Sequence, residues 1–342
     1  MNKILIILTG GTIGSVKKGN IIDISKKNFL KKFLNNDVIY KIIQPINILS
    51  ENAVPENWNE IIKCVEKNWE KDFSGIIITH GTDTLSYSAS AISQYFYNFF
   101  KPVLFVSSDK PLNEKKANGR DNLNAAINFI LKVKLPGTYV AYKNPNDNYV
   151  SFFLGSRVKQ INSFDNKLNS KISNYFCYFK NKKFFFNKKE NPSIQDIKKN
   201  CKKKELNKNF RFSNKILIIN PFPGLNYNYI NFKKEKPKAI LQTLYHSGTA
   251  CTQKNFKFST SIEEFIKIYK KNISFYITPI TSKNKTIYKS LKTLLNLGVI
   301  SIKDVTVETA YAKLCLAYKT FKSKKKIGNF LKKNNFFEKI NF

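Results

Sequence analysis

Short runs of apolar residues along the chain break at turns that are rich in glycine and threonine. The first run, Ile4-Leu5-Ile6-Ile7-Leu8, ends in Thr9-Gly10-Gly11-Thr12, and a later run, Gly75-Ile76-Ile77-Ile78, ends in Thr79-His80-Gly81-Thr82-Asp83. Uninterrupted apolar runs of this length are typical of parallel strands that are buried on both faces. Because open α/β sheets bind ligands at the carboxyl ends of their strands, we expect both turns to line one cleft.

Helical patterns alternate with these strands. Trp58, Ile61, Ile62 and Val65 keep helical spacing behind Pro55, which suits the first turn of a helix. Further apolar runs at 102–106, 215–219, 239–244 and 275–279 predict more strands. The alternation predicts an α/β protein of two domains: a larger N-terminal, mostly parallel, doubly wound sheet and a smaller C-terminal α/β domain.

The chain is predicted to divide into three segments. We expect a catalytic α/β domain over 1–180, a basic interdomain connection over 181–214, and a C-terminal α/β domain with a basic tail over 215–342. Residues 166–214 are crowded with Lys, Asn and Phe and show little periodicity, which favours a connection. A basic interaction segment is the alternative for this region.

The charge is strongly positive, with 59 Lys and Arg against 23 Asp and Glu and a formal net charge of +36. Such an excess is typical of proteins that bind nucleic acid or acidic membranes. The excess is nearly all Lys, however, and it accompanies many Asn, Ile, Phe and Tyr residues, all of which have codons rich in A and T. We therefore attribute the charge to codon bias and expect neither a specific nucleic acid nor a membrane partner, with an evolved basic surface as the alternative.

Cysteine and histidine usage favours a reduced, metal-free protein. The five cysteines are scattered without a C-x-x-C pair, and two histidines are too few for a metal cluster. The apolar run after Lys3 is too short for the core of a signal peptide or for a membrane span. We predict a cytoplasmic location and no cofactor.

Two sequence blocks resemble the pair of signatures of the L-asparaginase/glutaminase family, the bacterial-type amidohydrolases that use threonine. These blocks are Thr9-Gly10-Gly11-Thr12-Ile13-Gly14 and Thr79-His80-Gly81-Thr82-Asp83-Thr84. Weaker similarity at 117–126, 245–250 and 304–314 extends the resemblance over roughly residues 3 to 320. The resemblance implies hydrolysis of L-asparagine to aspartate and ammonia through a threonine acyl-enzyme. It also implies that the chain assembles with copies of itself as a homodimer or homotetramer and that its small-molecule partner is the amide substrate, asparagine.

Thr12 is the candidate nucleophile. A threonine hydroxyl is a weak nucleophile and needs a base, so the resemblance implies that Thr82, Asp83 and Lys159 form a proton relay. Two positions depart from the family pattern. Asn20 stands about where the family carries a loop tyrosine, and Lys159 is about one residue out of its usual spacing to Phe164-Asp165.

Substrate binding is expected from residues outside the nucleophile turn. Ser50 and Glu51 lie at a predicted junction between a strand and a helix, where the resemblance implies that they bind the α-carboxylate end of the substrate, together with Thr82 and Asp83. Ser50 could instead cap the helix. Glu308 is expected to reach the site of a neighbouring subunit and bind the α-amino group. A carboxylate in the first turn of a helix, capped by Thr306, would also explain Glu308.

Two other functions remain open. One is the asparaginase-like subunit of a tRNA-dependent amidotransferase, which would suit Leu49-Ser50-Glu51-Asn52 and the positive charge. Against it, the first motif begins at Thr9 and leaves no room for the extra N-terminal domain of those subunits. The other is a degraded homologue that binds without catalysis, which the missing tyrosine and displaced lysine favour. A free asparagine amidohydrolase is the function we expect.

Overall fold

The chain forms two compact units of mixed α/β structure. The computed structural model describes residues 2–18, 21–24, 27–171, 174–253, 261–283 and 286–339, with backbone alone at 16–18, 21–24 and 27–29. One unit holds the chain up to Arg211 together with Asn335–Phe337, and the other holds Phe212–Asn334 and the residues from Glu338. The predicted fold class is confirmed.

The first unit is built on an eight-stranded sheet in the order β10-β9-β8-β7-β6-β5-β1-β4. The strands of this unit are β1 (Lys3–Leu8), β2 (Ser15–Lys18), β3 (Ile21–Ile24), β4 (Ile39–Ile43), β5 (Phe73–Thr79), β6 (Pro102–Val106), β7 (Gly137–Tyr142), β8 (Val150–Leu154), β9 (Cys177–Lys180) and β10 (Lys183–Phe186). Neighbours from β4 to β7 are parallel, and those from β7 to β10 are antiparallel. Strands β2 and β3 form a separate antiparallel pair.

Four α-helices accompany this sheet in the described part of the first unit. They are α1 (Pro55–Asn68), α2 (Leu85–Tyr95), α3 (Gly119–Asn128), which continues into a π turn at Phe129–Val133, and α4 (Ile194–Asn200). Helix α1 begins at Pro55 and buries Trp58, Ile61, Ile62 and Val65, which confirms the predicted helix. The Trp58 indole donates to Ser88 Oγ at 2.8 Å and so ties α1 to α2.

The segment from 181 to 211 belongs to the first unit and contains the edge strand β10 and helix α4. In β10 the side chains alternate: Phe184 and Phe186 pack on the core, while Phe185 is 43% exposed. Neighbouring residues of a strand point to opposite faces, so a half-buried strand usually alternates apolar and polar residues. Three consecutive phenylalanines do not show that alternation in the sequence. The region predicted to be a basic interdomain connection thus contributes one edge strand and one short helix to the first unit.

The second unit contains a smaller sheet of four parallel strands in the order β11-β12-β13-β14. Its strands are β11 (Ile216–Ile219), β12 (Ala239–Thr243), β13 (Ser274–Thr278) and β14 (Ile300–Ser301), and its described α-helices are α5 (Ile262–Tyr269), α6 (Lys289–Asn296), α7 (Val307–Thr320) and α8 (Lys324–Lys332). The first three strands confirm the apolar runs predicted from the sequence. Their core side chains, such as Ile240 and Ile277, are fully buried.

The basic tail is folded onto the second unit through a buried ion pair. Lys313 Nζ in α7 lies 2.6 Å from Glu338 Oε1, and both side chains are 0% exposed. The same ammonium donates to the Lys333 carbonyl at 2.5 Å. Removing one partner of such a pair leaves a buried charge and typically costs about 3–5 kcal/mol. Helix α8 and Glu338 are thus part of the fold.

Candidate active site

The carboxyl end of β1 lies at the point where the order of the strands in the sheet reverses. The chain passes from β1 to β4 on one side and then through α1 to β5 on the other side. Open sheets bind ligands in the crevice at such a switch point. Thr9–Thr12, Ser50 and Thr79–Asp83 follow the three strands that meet there, so the fold gathers most of the predicted site residues at one sheet edge.

Glycine lets these three segments touch through their backbones. Gly11 has φ +73°, and a Cβ atom there would lie 2.5 Å from the Gly81 nitrogen. A Cβ on Gly81 would lie 2.4 Å from Ser50 Oγ. The Gly11 N–H also donates to the Ile48 carbonyl at 3.0 Å. Larger residues at either glycine would force the segments apart, so this contact explains the glycines of both motifs.

Thr12 and Thr9 differ in what their hydroxyls do. Thr9 is buried and donates to the Thr79 carbonyl at 2.7 Å, which ties the end of β1 to the end of β5. Thr12 opens a 3-10 turn, Thr12–Gly14, and is partly exposed. Ser15 fixes the turn by donating to the Gly11 carbonyl at 2.8 Å. Within the described part of the chain, the Thr12 hydroxyl makes no hydrogen bond, so it is available to a substrate.

Ser50 links the segment after β4 to the turn that follows β5. Its Oγ lies 3.3 Å from Asp83 Oδ2 and accepts from the Asp83 N–H at 3.2 Å, and its carbonyl accepts from Thr84 Oγ1 at 2.7 Å. Val54, not Ser50, is the N-cap residue of α1. Thr82 is partly exposed, while Asp83 and Glu51 are exposed. A carboxylate, a hydroxyl and open space therefore lie together at this edge.

His80 is a supporting residue to which no role was assigned on sequence grounds. It is 4% exposed, and its Nδ1 lies 2.8 Å from the Gly81 carbonyl. A carbonyl can only accept, so Nδ1 carries the proton. Burial lowers the pKa of His80, while the bond to Gly81 and the charge of Asp83 oppose that shift. The neutral ring fixes the turn before Thr82. Its position directly before Gly81 in the motif was the feature of the sequence that could have indicated this supporting role.

Gln160, rather than Lys159, reaches the Asp83 turn. Its amide Nε2 donates to the Asp83 carbonyl, and its Oε1 accepts from Ser86 Oγ at 3.0 Å. The Lys159 side chain is exposed, and its backbone N–H donates to the Asn169 carbonyl at 2.9 Å. Among the described residues, Lys159 makes no bond to Thr82 or Asp83. Its role in the relay stays a prediction.

Two candidate residues are not among the described residues of the first unit. Glu308 belongs to the second unit, in the first turn of α7, and is 5% exposed. Thr306 Oγ1 accepts from the Thr309 N–H at 3.2 Å, which confirms the predicted cap. Asn20 lies outside the described residues. In the described ranges, no group of three His, Cys, Asp or Glu residues could hold a metal ion.

The family model described as "Asparaginase, N-terminal" matches residues 3–190. The chain therefore belongs to the asparaginase family of amidohydrolases. The fold agrees: the thermostable L-asparaginase from Thermococcus kodakarensis superposes with a TM-score of 0.80 at 23% identity, over 99% of this chain and 100% of that one. At this identity the likeness shows the fold alone.

Curated relatives of this chain are named for a function other than free asparagine hydrolysis. The D subunit of the glutamyl-tRNA(Gln) amidotransferase from Methanobrevibacter smithii is 28% identical over 337 residues, which is 91% of this chain and 71% of the relative. The corresponding protein of Methanosphaera stadtmanae is 28% identical over 328 residues, with the same shares. Both are named as subunits of an enzyme that acts on a tRNA.

These names correct two predictions. The prediction of a free L-asparagine amidohydrolase is wrong, since the relatives are amidotransferase subunits. The prediction of a homo-oligomer with asparagine as its partner and no specific nucleic acid is wrong for the same reason. The two threonine motifs are compatible with both kinds of protein, so they could not separate them. In the described ranges, no helix is long and apolar enough to cross a membrane.

Proposed function

We propose that this chain is the amide-hydrolysing subunit of a glutamyl-tRNA(Gln) amidotransferase. The observation that carries the proposal is the similarity to subunits of such amidotransferases over 91% of the chain. In this role the chain releases ammonia from asparagine or glutamine. Elsewhere in the complex a nucleoside triphosphate phosphorylates the γ-carboxyl of the glutamate carried by the tRNA, and the ammonia displaces the phosphate to form the amide. A cytoplasmic location is part of the proposal, and the free cysteines are compatible with it.

The proposed chemistry begins with the Thr12 hydroxyl. Its oxygen attacks the side-chain amide carbon of the substrate, the C–N bond breaks, ammonia leaves, and water then hydrolyses the threonine ester to the acid. The support for Thr12 is its place at the switch point and its unengaged hydroxyl. Backbone N–H groups of the glycine turns are the proposed oxyanion donors, and one such donor is typically worth about 3–4 kcal/mol.

Proton transfer is assigned to the turn after β5. Thr82 and Asp83 are the proposed hydroxyl and carboxylate, with Lys159 as the proposed amine of the relay. Ser50 supports this role for Asp83 because its hydroxyl lies 3.3 Å from the carboxylate and holds the turn in place. Ser50, Glu51, Thr82 and Asp83 also remain the proposed contacts for the α-carboxylate end of the substrate, and Glu308 for its amino group.

An ammonia-release assay tests the proposal. The wild-type chain, in the complex that it forms in its own cells, is supplied with asparagine or glutamine and with a nucleoside triphosphate and Mg²⁺, with and without glutamyl-tRNA(Gln). We expect ammonia release that rises when the acceptor tRNA is present and disappears in Thr12→Ala. A rate of ammonia release that is the same with and without the tRNA would favour a free hydrolase. No release above the Thr12→Ala background would mean that the chain binds without catalysis.

A further inference from the structure

One surface of the large sheet has no part in the proposed catalysis. We call it the aromatic–basic face; it is formed by Tyr149, Tyr175, Tyr178, Lys180, Lys183 and Phe185, on the side of β9 and β10 that faces away from the core. Phe185 pairs directly with Tyr178 across the two strands, and their rings stack with centroids 4.9 Å apart and planes 14° apart. Tyr149 and Tyr175 continue the cluster, at 4.9 and 5.7 Å from Tyr178.

These rings are accessible and are not needed to fill the core. Phe185 is 43% exposed and Tyr178 is partly exposed. The core side of the same strands is supplied by Phe179, Phe184 and Phe186. A monomeric protein buries large apolar groups where it can, and a stacked aromatic pair on an open sheet face presents π surfaces to a ligand.

Two lysines on this face lie next to each other without compensation. Lys180 and Lys183 are direct partners in the β9–β10 register, so both side chains extend on the side that carries Tyr178 and Phe185. Like charges that face each other across strands are destabilising. Among the described residues, neither lysine has an ion-pair partner. The pair therefore lowers stability in the free protein, and an anionic ligand would relieve that cost.

Two nearby carboxylates, Asp121 of α3 and Asp147 of the loop before β8, do not neutralise this pair. Asp121 is engaged by Lys143 at 2.7 Å, and Asp147 acts on Tyr149, where it reinforces the rise in the pKa of the phenol that burial causes. A cleft of about 160 Å³ adjoins the face, lined in part by Tyr149, Lys143 and Lys180 and also by Asp121, whose carboxylate is paired with Lys143. Positive charge, aromatic rings and a cleft thus lie side by side.

We propose that the aromatic–basic face binds RNA, with unpaired bases stacking on Phe185 and Tyr178 and phosphates contacting Lys180 and Lys183. Single-stranded RNA is commonly bound by bases that stack on aromatic side chains of a sheet, within a basic surface. An acidic protein would satisfy the lysines but would not require the stacked rings. The inference rests on the proposed function, in which the RNA is an unpaired segment of the glutamyl-tRNA(Gln).

The charge contribution can be measured with a matched control. The dissociation constant of a tRNA(Gln) transcript is determined at several salt concentrations for the full chain and for Lys180→Gln/Lys183→Gln. Each phosphate contact to a single strand contributes about 0.7 to the slope of log affinity against log salt, so the slope should fall by about 1.4. The control, Lys63→Gln/Lys67→Gln, removes the same charge from the exposed side of α1 and should leave the slope unchanged.

The stacking contribution needs a second pair of variants. Tyr178→Thr/Phe185→Thr keeps residues that favour strands but removes both rings, and it should weaken binding at least about fivefold. Phe185→Trp keeps a ring, should bind as tightly as the wild type, and should show indole fluorescence that is quenched when the transcript is added. Circular dichroism and thermal unfolding establish that each variant is folded.

Three results would overturn the inference. One is an equal loss of slope in the Lys63/Lys67 control, which would show that the general charge of +36 does the binding. Another is unchanged affinity when both rings are removed. The third is binding of poly-glutamate that depends on Tyr178 and Phe185 as strongly as RNA binding does. Ammonia release measured on the same preparations keeps the two proposals separate, since it tests Thr12 and not this face.

Discussion

The parallel part of the large sheet and its antiparallel edge place functional groups in different ways. In the parallel part, β1 buries Ile4, Leu5 and Ile6 completely, and chemistry is confined to the turns at the carboxyl ends. At the antiparallel edge, β10 leaves Lys183 and Phe185 on an open face. The parallel part thus presents polar groups in turns at one edge of the sheet, whereas the antiparallel edge presents rings and lysines on an open face.

The difference follows from how each part is covered. The side chains of strands that are buried on both faces pack in the core and cannot contact a ligand, so the polar groups lie in the turns that follow these strands. An edge strand has one covered face and one face in water, and it can display rings and charges along its length. Substitutions in the two regions should therefore affect different properties.

The largest expected effect is on turnover. Thr12→Ala removes the proposed nucleophile and should lower ammonia release at least about a thousandfold, while Thr12→Ser keeps a hydroxyl and should retain measurable activity. Asp83→Asn should cost about a hundredfold, since it removes a proton-transfer group. Steady-state kinetics of ammonia release checks all three. Thr12→Ala with near wild-type turnover would remove Thr12 from the mechanism.

A large effect on stability is expected where the two turns meet. Gly11→Ala introduces a Cβ 2.5 Å from the Gly81 nitrogen at φ +73°, and it should lower the free energy of unfolding by about 2–4 kcal/mol. Gly14→Ala is the matched control, because its Cβ would meet nothing within 4 Å. That variant should change stability by less than about 0.5 kcal/mol. Denaturant unfolding compares them, and similar losses would contradict the close contact of the turns.

The pH dependence of stability should report the buried histidine. Because burial lowers the folded-state pKa of His80, its contribution is fully present above the unfolded value of about 6.5 and is lost as pH falls below it. The unfolding free energy should therefore decrease as pH falls below about 6.5, and His80→Asn should flatten that decrease. His246→Asn, at an exposed residue of the second unit, is the control. A decrease that is unchanged in His80→Asn would show that other groups cause it.

The smallest effect is expected at the antiparallel edge. Lys183→Thr removes a like charge that faces Lys180, and it should raise the free energy of unfolding by about 0.2–1 kcal/mol at low salt. The gain should vanish near 1 M salt, where charges are screened within about 3 Å. Denaturant unfolding at both salt concentrations measures it. Destabilisation at low salt would mean that the lysine pair contributes to folding.

Apolar runs and turn residues along the chain predicted those strands and turns that neighbouring residues determine by themselves. The apolar run of β1 ends at Gly10 and Gly11, and this alone indicated a buried strand and a turn. Strand β10 was missed because consecutive phenylalanines conceal alternation, and the buried Lys313 because one lysine among so many resembles a surface residue. Contacts such as that of Gln160 with Asp83 depend on the approach of distant segments, which no spacing along the chain reveals.

The function shows the same limit. The threonine motifs indicated amide hydrolysis, but they are compatible with both a free hydrolase and an amidotransferase subunit. Residues that contact a tRNA or another subunit would separate the two, and such residues form no motif that can be recognised along the chain. Excess lysine was interpreted as codon bias, so no single lysine was chosen as a candidate for RNA binding. In the fold, two of the lysines, Lys180 and Lys183, are register partners beside the stacked rings of Tyr178 and Phe185.

The central claim is that the amide nitrogen released at Thr12 is delivered to a tRNA. The most direct measurement follows that nitrogen: the complex that contains this chain is incubated with a nucleoside triphosphate and Mg²⁺, with glutamyl-tRNA(Gln), and with asparagine or glutamine labelled with ¹⁵N in the side-chain amide. We predict ¹⁵N in the glutaminyl group on the tRNA, and its loss in Thr12→Ala. Label that appears only as free ammonia, with the tRNA still carrying glutamate, would contradict the account.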